Sequence, residues 1–394
     1  MGVSSCKPLD ARCRDGADRR HDPHQARSQS YRRRTRAAAR PGSLICLALL
    51  LALVPLSLAA ETLRIATYNT DLDRTGPGIL VRDLADPDDS RIAALIRVLT
   101  VLDADVLLLT SVDYDHDLVA LTLLADRLES AGLRYEHRFA ARPNTGRQTG
   151  LDLDGNGRIG DPRDAQGFGL FSGQGGMAVL SRLPLDRKGF RDFSAFLWRD
   201  LPEAMIPVGM PPEVLALQRL STTAHWDLPV TLPRGRVLHL LAWHATPPVF
   251  DGPEDRNGRR NHDEAMFWRL FLNGDLPMPP PEAPFILLGD ANLDPADGEG
   301  LRNGIARLLA DPRLQDPHPK GTHGRTEPDH TGDPALDTAI YDKIGGLRLD
   351  LVLPSAGLRV TGAGVLWPAD TDPLAADLAT ASRHRPVWVD VEVP

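Results

Sequence analysis

From Leu63 to Val393 the chain is a succession of short apolar runs, β-rich at Leu63–Tyr68, Val106–Leu109, Met177–Leu180, Val237–Trp243, Phe285–Leu288, Leu349–Leu353 and Val387–Val393. No run is long enough to enclose a core by itself, so the strands must share sheets, and their recurrence leaves no composition break at which to divide the segment. Between the first two runs, Ile92, Leu95, Ile96, Leu99 and Leu102 recur at helical spacing after Ser90, which predicts an amphipathic helix packed on a sheet. Further helices are predicted over Leu118–Leu128 and Asn261–Leu272. The pattern points to one α/β domain of two packed sheets with outer helices. Loops rich in Gly, Pro and Asp at 142–175, 199–216, 246–260, 274–284 and 311–346 are long for a compact domain, and loops of that length usually wall a functional cleft.

The N-terminal segment has a different character. Residues 1–60 carry 11 Lys and Arg against 4 Asp and Glu, leaving 34 against 49 and a formal charge of −15 for the rest. Residues 1–41 read as a basic, disordered extension, and residues 42–60 as a secretory signal. The latter is the apolar run Leu44–Val54 closed by Ser57-Leu58-Ala59-Ala60, the small-residue pattern of a signal peptidase site. The rival reading is a membrane anchor, but Pro55 cuts the run well below the roughly 20 residues that span a bilayer. Cleavage would leave a periplasmic or secreted monomer at residues 61–394, with no stable membrane insertion. Cys6, Cys13 and Cys46 all precede residue 60, so that form has no disulfide or thiolate metal site. Its acidity opposes a broad electrostatic grip on a polyanion and favours small or isolated phosphoesters.

Polar groups cluster at the ends of the apolar strands. They are Arg64-Ile65-Ala66-Thr67-Tyr68-Asn69, Asp105 to Asp113, Leu241-Ala242-Trp243-His244-Ala245-Thr246-Pro247-Pro248, and Ile286-Leu287-Leu288-Gly289-Asp290-Ala291-Asn292, followed by Arg348 to Leu353 and Ser382-Arg383-His384-Arg385-Pro386. Phosphoester hydrolysis needs a hard cation, a group that takes a proton from water and a donor for the leaving oxygen. Asp and Asn oxygens suit Mg2+, Mn2+ or Ca2+, and histidines exchange protons near neutrality. There is no Ser-His-Asp grammar in the set.

This ordered series, with Gly176-Met177-Ala178-Val179-Leu180-Ser181-Arg182-Leu183-Pro184, resembles the endonuclease/exonuclease/phosphatase superfamily from about Leu63 to Val393. The resemblance implies a four-layer α/β/β/α sandwich of two packed mixed β-sheets flanked by helices, and a metal-dependent phosphoester hydrolase, a phosphodiesterase or nuclease, with Mg2+ or Mn2+ as cofactor. Its substrate would be a phosphoester, with nucleic acid among the candidates. By the same resemblance Asp290 orients or deprotonates the attacking water and Asn292 orients the phosphate. His244 protonates the leaving oxygen, His384 stabilises phosphate charge, and Asp350 polarises a histidine or holds a metal alongside Asn69 and Asp290. A small-molecule phosphatase or lipid-headgroup phosphodiesterase is the rival among enzymes; outside enzymes it is a calcium-stabilised binding protein with a degenerate site.

Two positions depart from the family pattern. Thr110-Ser111 stands where a metal-binding glutamate is usual, and Arg383 replaces the acid before the terminal histidine. If the strand continues, Asp113 points to the same face as Ser111 and is expected to substitute as metal ligand; the competing reading is a solvated turn with Asp115 and Asp117. Arg260 and Arg383 are expected to contact phosphate. Independently, Asp152, Asp154 and Asn156 with Gly157 and the Arg158 carbonyl follow the grammar of a calcium loop. Arg163 stands where a bidentate Glu belongs, so Asp161 or Asp164 would have to complete it.

Overall fold

The computed structural model describes residues 61–282 and 284–393; the expected extension and signal segment lie outside them. Strand β1 (Glu61–Leu72) is followed by helices α1 (Ile79–Ala85) and α2 (Ser90–Leu102), then β2 (Val106–Val112), α3 (Val119–Ser130), β3 (His137–Ala140) and β4 (Gly176–Ser181). Next come β5 (Arg191–Asp192), α4 (Pro212–Leu217), β6 (Ala224–Thr231), β7 (Val237–His244), α5 (Arg256–Asn273) and β8 (Phe285–Asp290). The remainder is α6 (Asn303–Leu309), β9 (Ala339–Tyr341), β10 (Gly345–Leu347), β11 (Asp350–Pro354), β12 (Arg359–Val365), α7 (Pro373–Ala381) and β13 (Val387–Val393).

The strands form a six-stranded sheet in the order β12-β13-β1-β2-β4-β3 and a five-stranded sheet in the order β11-β8-β7-β6-β5, with a separate β9–β10 hairpin. Each large sheet is mixed, with a single parallel pair, β1/β2 in one and β7/β8 in the other. A parallel pair needs a crossover, and the crossovers are helical: α1 and α2 in the first case, α5 in the second. The expected sandwich is therefore the observed one. Leu63, Ile65, Val106, Leu108, Leu240, Ala242, Ile286, Leu288 and Val352 fill the space between the sheets. The opposite faces are covered by α2, α3 and α7 on one side and by Phe267, Trp268 and Phe271 of α5 on the other. Among the described residues no helix is long and apolar enough to cross a membrane.

The predicted α2 and α3 fall within a residue or two of the observed ones, and Asp89 caps α2 by accepting from Ile92 N at 2.8 Å. Helix α5 starts five residues before Asn261, because Gly258 and Arg260 are buried under neighbouring loops rather than solvated. Strand β6 escapes a hydropathy reading because its alternate residues are His225, Asp227 and Pro229. Asp227, fully buried, pairs with Arg191 and His239, a partnership invisible in the local sequence.

Candidate active site

Alternation within strands carries polar groups to one place. Between-sheet residues have odd numbers in β1 and even numbers in β7, β8 and β11, and continuing that parity to the strand ends yields Asn69, His244, Asp290 and Asp350. Register then aligns them: His244 lies opposite Asp290 on the parallel neighbour, and Asp350 opposite Asp290 on the antiparallel one. Three adjacent strands thus present a row of His, Asp and Asp, and Asn69 reaches it from the other sheet, donating through Nδ2 to Asp290 Oδ2 at 2.8 Å.

His244 Nε2 lies 3.6 Å from Asp290 Oδ2. Asp290 Oδ1 accepts from Asn292 N at 2.8 Å, a tight turn for which Asn292 adopts a left-handed φ of 51°. The Asn292 carboxamide donates to Ala245 O at 2.8 Å, which leaves one of its two N–H groups for another acceptor. His384 arrives from the segment between α7 and β13, with Nδ1 2.8 Å from Asp350 Oδ2. One ligand atom from each of Asp290, Asp350 and His384 lies within 4.8 Å of the others, and all three residues are buried.

Burial, with Asp350 beside it, pushes Asp290 above the ordinary carboxylate range. Burial likewise pushes His244 down, against the pull of Asp290. His384 feels the same downward push, but Asp350, the hydrogen bond to it, Asp290 and Asp71 outweigh it and hold the imidazolium up to about 9. The carboxylate pair therefore faces one neutral-leaning and one charged histidine.

Several expected site residues sit differently. Ser111 has a φ of 56° and the β2/β4 register shifts between Thr110 and Val112, so the strand does not continue regularly and Asp113 is turned aside. Its oxygens accept from Arg74 N and Gly175 N, both at 3.0 Å, and burial pushes it up to about 6. Asp113 is thus a loop tie outside the Asp290–Asp350–His384 group, which corrects its assignment as a metal ligand. Arg260 is also corrected: it is buried and its guanidinium donates to the carbonyls of Gln166, Arg219, Leu220 and Ser221, so it fastens loops rather than meeting phosphate. Arg383 stands at the rim, exposed, with Nη2 2.9 Å from Asp71 Oδ1.

In the 152–164 loop, Asp152, Asp154 and Asp164 bring ligand atoms together, whereas Asp161 is taken by Asn156 Nδ2 at 2.6 Å and caps the turn at Arg163. Asn156 Oδ1 accepts from Arg158 N at 2.8 Å. Asp164, not Asp161, is the third carboxylate of that loop.

Sequence reading missed three residues. Asp71 follows Asn69 with a φ of 50°; burial raises its carboxyl, but the Arg383 hydrogen bond and His384 hold it well below the usual range. The acid expected before His384 has in effect changed places with a cation, since Asp71 and Arg383 form an ion pair across the site. Thr338 Oγ1 donates to Asp350 Oδ2 at 2.8 Å while accepting from Leu349 N and Asp350 N. Tyr341 sets its hydroxyl 3.4 Å from His384 Nε2. Of the three, only Asp71 carried a signal, its place two residues beyond Asn69.

The family model for the endonuclease/exonuclease/phosphatase family matches residues 66–384, and the chain belongs to that family of phosphoester hydrolases. No curated protein matches the sequence. Among solved structures, an endonuclease/exonuclease/phosphatase from Beutenbergia cavernae is similar at 19% identity and a TM-score of 0.50, over 84% of this chain and 72% of that one. Sphingomyelinase C from Streptomyces griseocarneus matches at 18% identity and 0.46, over 84% and 99%. The catalytic domain of human Nocturnin matches at 15% and 0.45, over 84% and 94%. At such identities the likeness concerns the fold alone.

The family generally uses divalent metals, and the residues present fit a hard cation. Asp350 Oδ1 is buried without a hydrogen-bond partner among the described residues, and an orphaned carboxylate oxygen is costly unless something positive completes it. Beside it is a second buried carboxylate, that of Asp290, and such a pair of hard oxygen donors suits Mg2+, Mn2+ or Ca2+; Asn69, expected as a further ligand, turns its nitrogen to Asp290 and its oxygen to Asp71 N at 3.1 Å.

Proposed function

We propose that the protein is a metal-dependent phosphodiesterase acting on small or isolated phosphoesters. The observation that carries this reading is the convergence of Asn69, His244, Asp290, Asp350 and His384 at one buried point between the two sheets. A divalent cation held by Asp290 and Asp350 would neutralise charge on the phosphoryl oxygens, with Asn69 Nδ2 orienting the Asp290 carboxylate. Asp290, raised above the ordinary carboxylate range, takes the proton from the attacking water. His384, its Nδ1–H fixed on Asp350, presents Nε2–H to a phosphoryl oxygen. His244, neutral at rest, takes through Nε2 the proton that Asp290 has received, 3.6 Å away, and passes it to the leaving oxygen, and the remaining Asn292 N–H orients the phosphate.

A small phosphodiester rather than a polynucleotide is favoured by the formal −15 of residues 61–394, which repels an extended polyanion at long range. In this reading the protein works as an exported monomer, with residues 42–60 removed as a signal. The test is an assay of the purified protein on bis-p-nitrophenyl phosphate and plasmid DNA, with a chelator and with Mg2+, Mn2+ or Ca2+ restored in turn. Hydrolysis of the small diester is expected to vanish with the chelator and return with one of the cations. Undiminished hydrolysis under chelation contradicts the metal; absence of hydrolysis with every cation contradicts the enzyme.

A further inference from the structure

The β9–β10 hairpin belongs to no motif of the family series, yet it is bound to the segment that carries His384. Ala339 bridges to His384, Ile340 N donates to Arg383 O at 3.1 Å, and Arg385 N donates to Thr338 O at 2.6 Å. Residues 338–341 therefore run as a backbone partner to residues 383–385, and the hairpin's position is fixed with respect to the imidazole. The Tyr341 ring meets the His384 ring edge-on at 6.3 Å and stacks beneath the Arg383 guanidinium at 5.5 Å. Its hydroxyl stands 3.4 Å from His384 Nε2.

That separation is longer than the roughly 2.7–3.2 Å of a well-formed N–H···O bond. Their mutual hydrogen bond is thus a long one, and one oxygen atom placed about 2.8 Å from each would accept from both. The hydroxyl also keeps its proton: burial, then the Asp290 carboxylate, raise it above the ordinary phenol range, so it is a donor throughout the neutral region.

We propose that Tyr341 is a catalytic residue of this site, its O–H donating to the same non-bridging phosphoryl oxygen that receives the Nε2–H of His384. The pair forms a two-donor cradle for charge that accumulates as water attacks, and the phenolic proton stays on Tyr341 throughout. Donors aimed at developing charge act mainly on the transition state, so the effect falls on kcat. This inference rests on the hydrolase reading above.

The test is Tyr341→Phe in the full-length protein, measured for kcat and KM on bis-p-nitrophenyl phosphate, for affinity towards orthovanadate, and for melting temperature. The expected result is a fall in kcat of about 10- to 100-fold, with KM changed less than about threefold. Vanadate binding should weaken by about the same factor as kcat, and Tm should be unaltered. Three results overturn the proposal alone while wild type is active: kcat of the variant within about twofold of wild type, a kcat loss without loss of vanadate affinity, or a kcat loss that follows a lowered Tm. A wild type inactive on every phosphoester and cation overturns the hydrolase reading, and this inference with it.

Discussion

Asp290→Asn is expected to lower phosphodiester turnover by at least about 10²-fold, the scale on which a positioned acid–base group acts, while changing stability little, because one lost hydrogen bond offsets the relieved charge repulsion. The substitution is isosteric. The new carboxamide oxygen can accept from Asn69 Nδ2, 2.8 Å from Asp290 Oδ2, or from Asn292 N, 2.8 Å from Oδ1, but not from both, so one hydrogen bond is lost. What disappears is the negative charge, and with it the capacity to take a proton from water and one of the two carboxylates suited to a cation. The same charge is held at a cost, because Asp290 is fully buried beside Asp350 and is pushed up for those two reasons; neutralising it relieves the repulsion. Steady-state kinetics with thermal unfolding of both proteins checks the pair of expectations, and turnover near wild type in the variant would remove Asp290 from the mechanism.

Glu264→Ala is expected to be the most destabilising single change behind the site. Glu264 is buried in α5, and its two oxygens accept from Thr222 N at 2.6 Å and Thr246 N at 2.8 Å. It thereby joins the loop before β6 to the loop that follows His244. Arg260, one turn earlier, fastens residues 219–221 from the same helix. Truncation strands two buried N–H groups, a cost of about 2 kcal/mol even after the charge's own burial is relieved.

The cost depends on pH with a definite sign. Burial raises the Glu264 carboxyl from 4.5 to about 7, so its neutral form stabilises the fold fully below the unfolded value and that contribution is lost as pH rises through about 7. The variant lacks this contribution, and should therefore be less stable than wild type by about 2–3 kcal/mol more at pH 5 than at pH 8. His225, which burial lowers to about 3, titrates in the opposite sense in both proteins, so the difference between the two denaturation curves isolates Glu264. An identical gap at both pH values would contradict the assignment.

The strands could be read from the chain wherever their apolar residues stood in sequence, and the site could be read where strand parity reached a polar end. Asn69, His244, Asp290 and Asp350 stood out by their order at strand ends and by the family resemblance, and strand alternation explains why they meet. Asp113 went astray because alternation was carried through Ser111, where the backbone is left-handed and the ladder shifts. Arg260 went astray because a guanidinium beside a loop looks the same in sequence whether it meets a ligand or four carbonyls. Thr338 and Tyr341 were out of reach for another reason: they matter through tertiary partners, Thr338 at Leu349 and Asp350 and Tyr341 at His384, and no periodicity or motif in the chain announces either pairing.

The junction between the first and last strands ties one end of the chain to the other. Ser382 Oγ donates to Asn69 O at 2.7 Å across 313 positions of sequence, and β13 lies between β1 and β12. A chain halted before Val387 would hold every carboxylate of the centre yet lack β13, leaving the β1 flank open to foreign strands. Only with β13 in place is the strand whose end carries Asn69 paired on both sides.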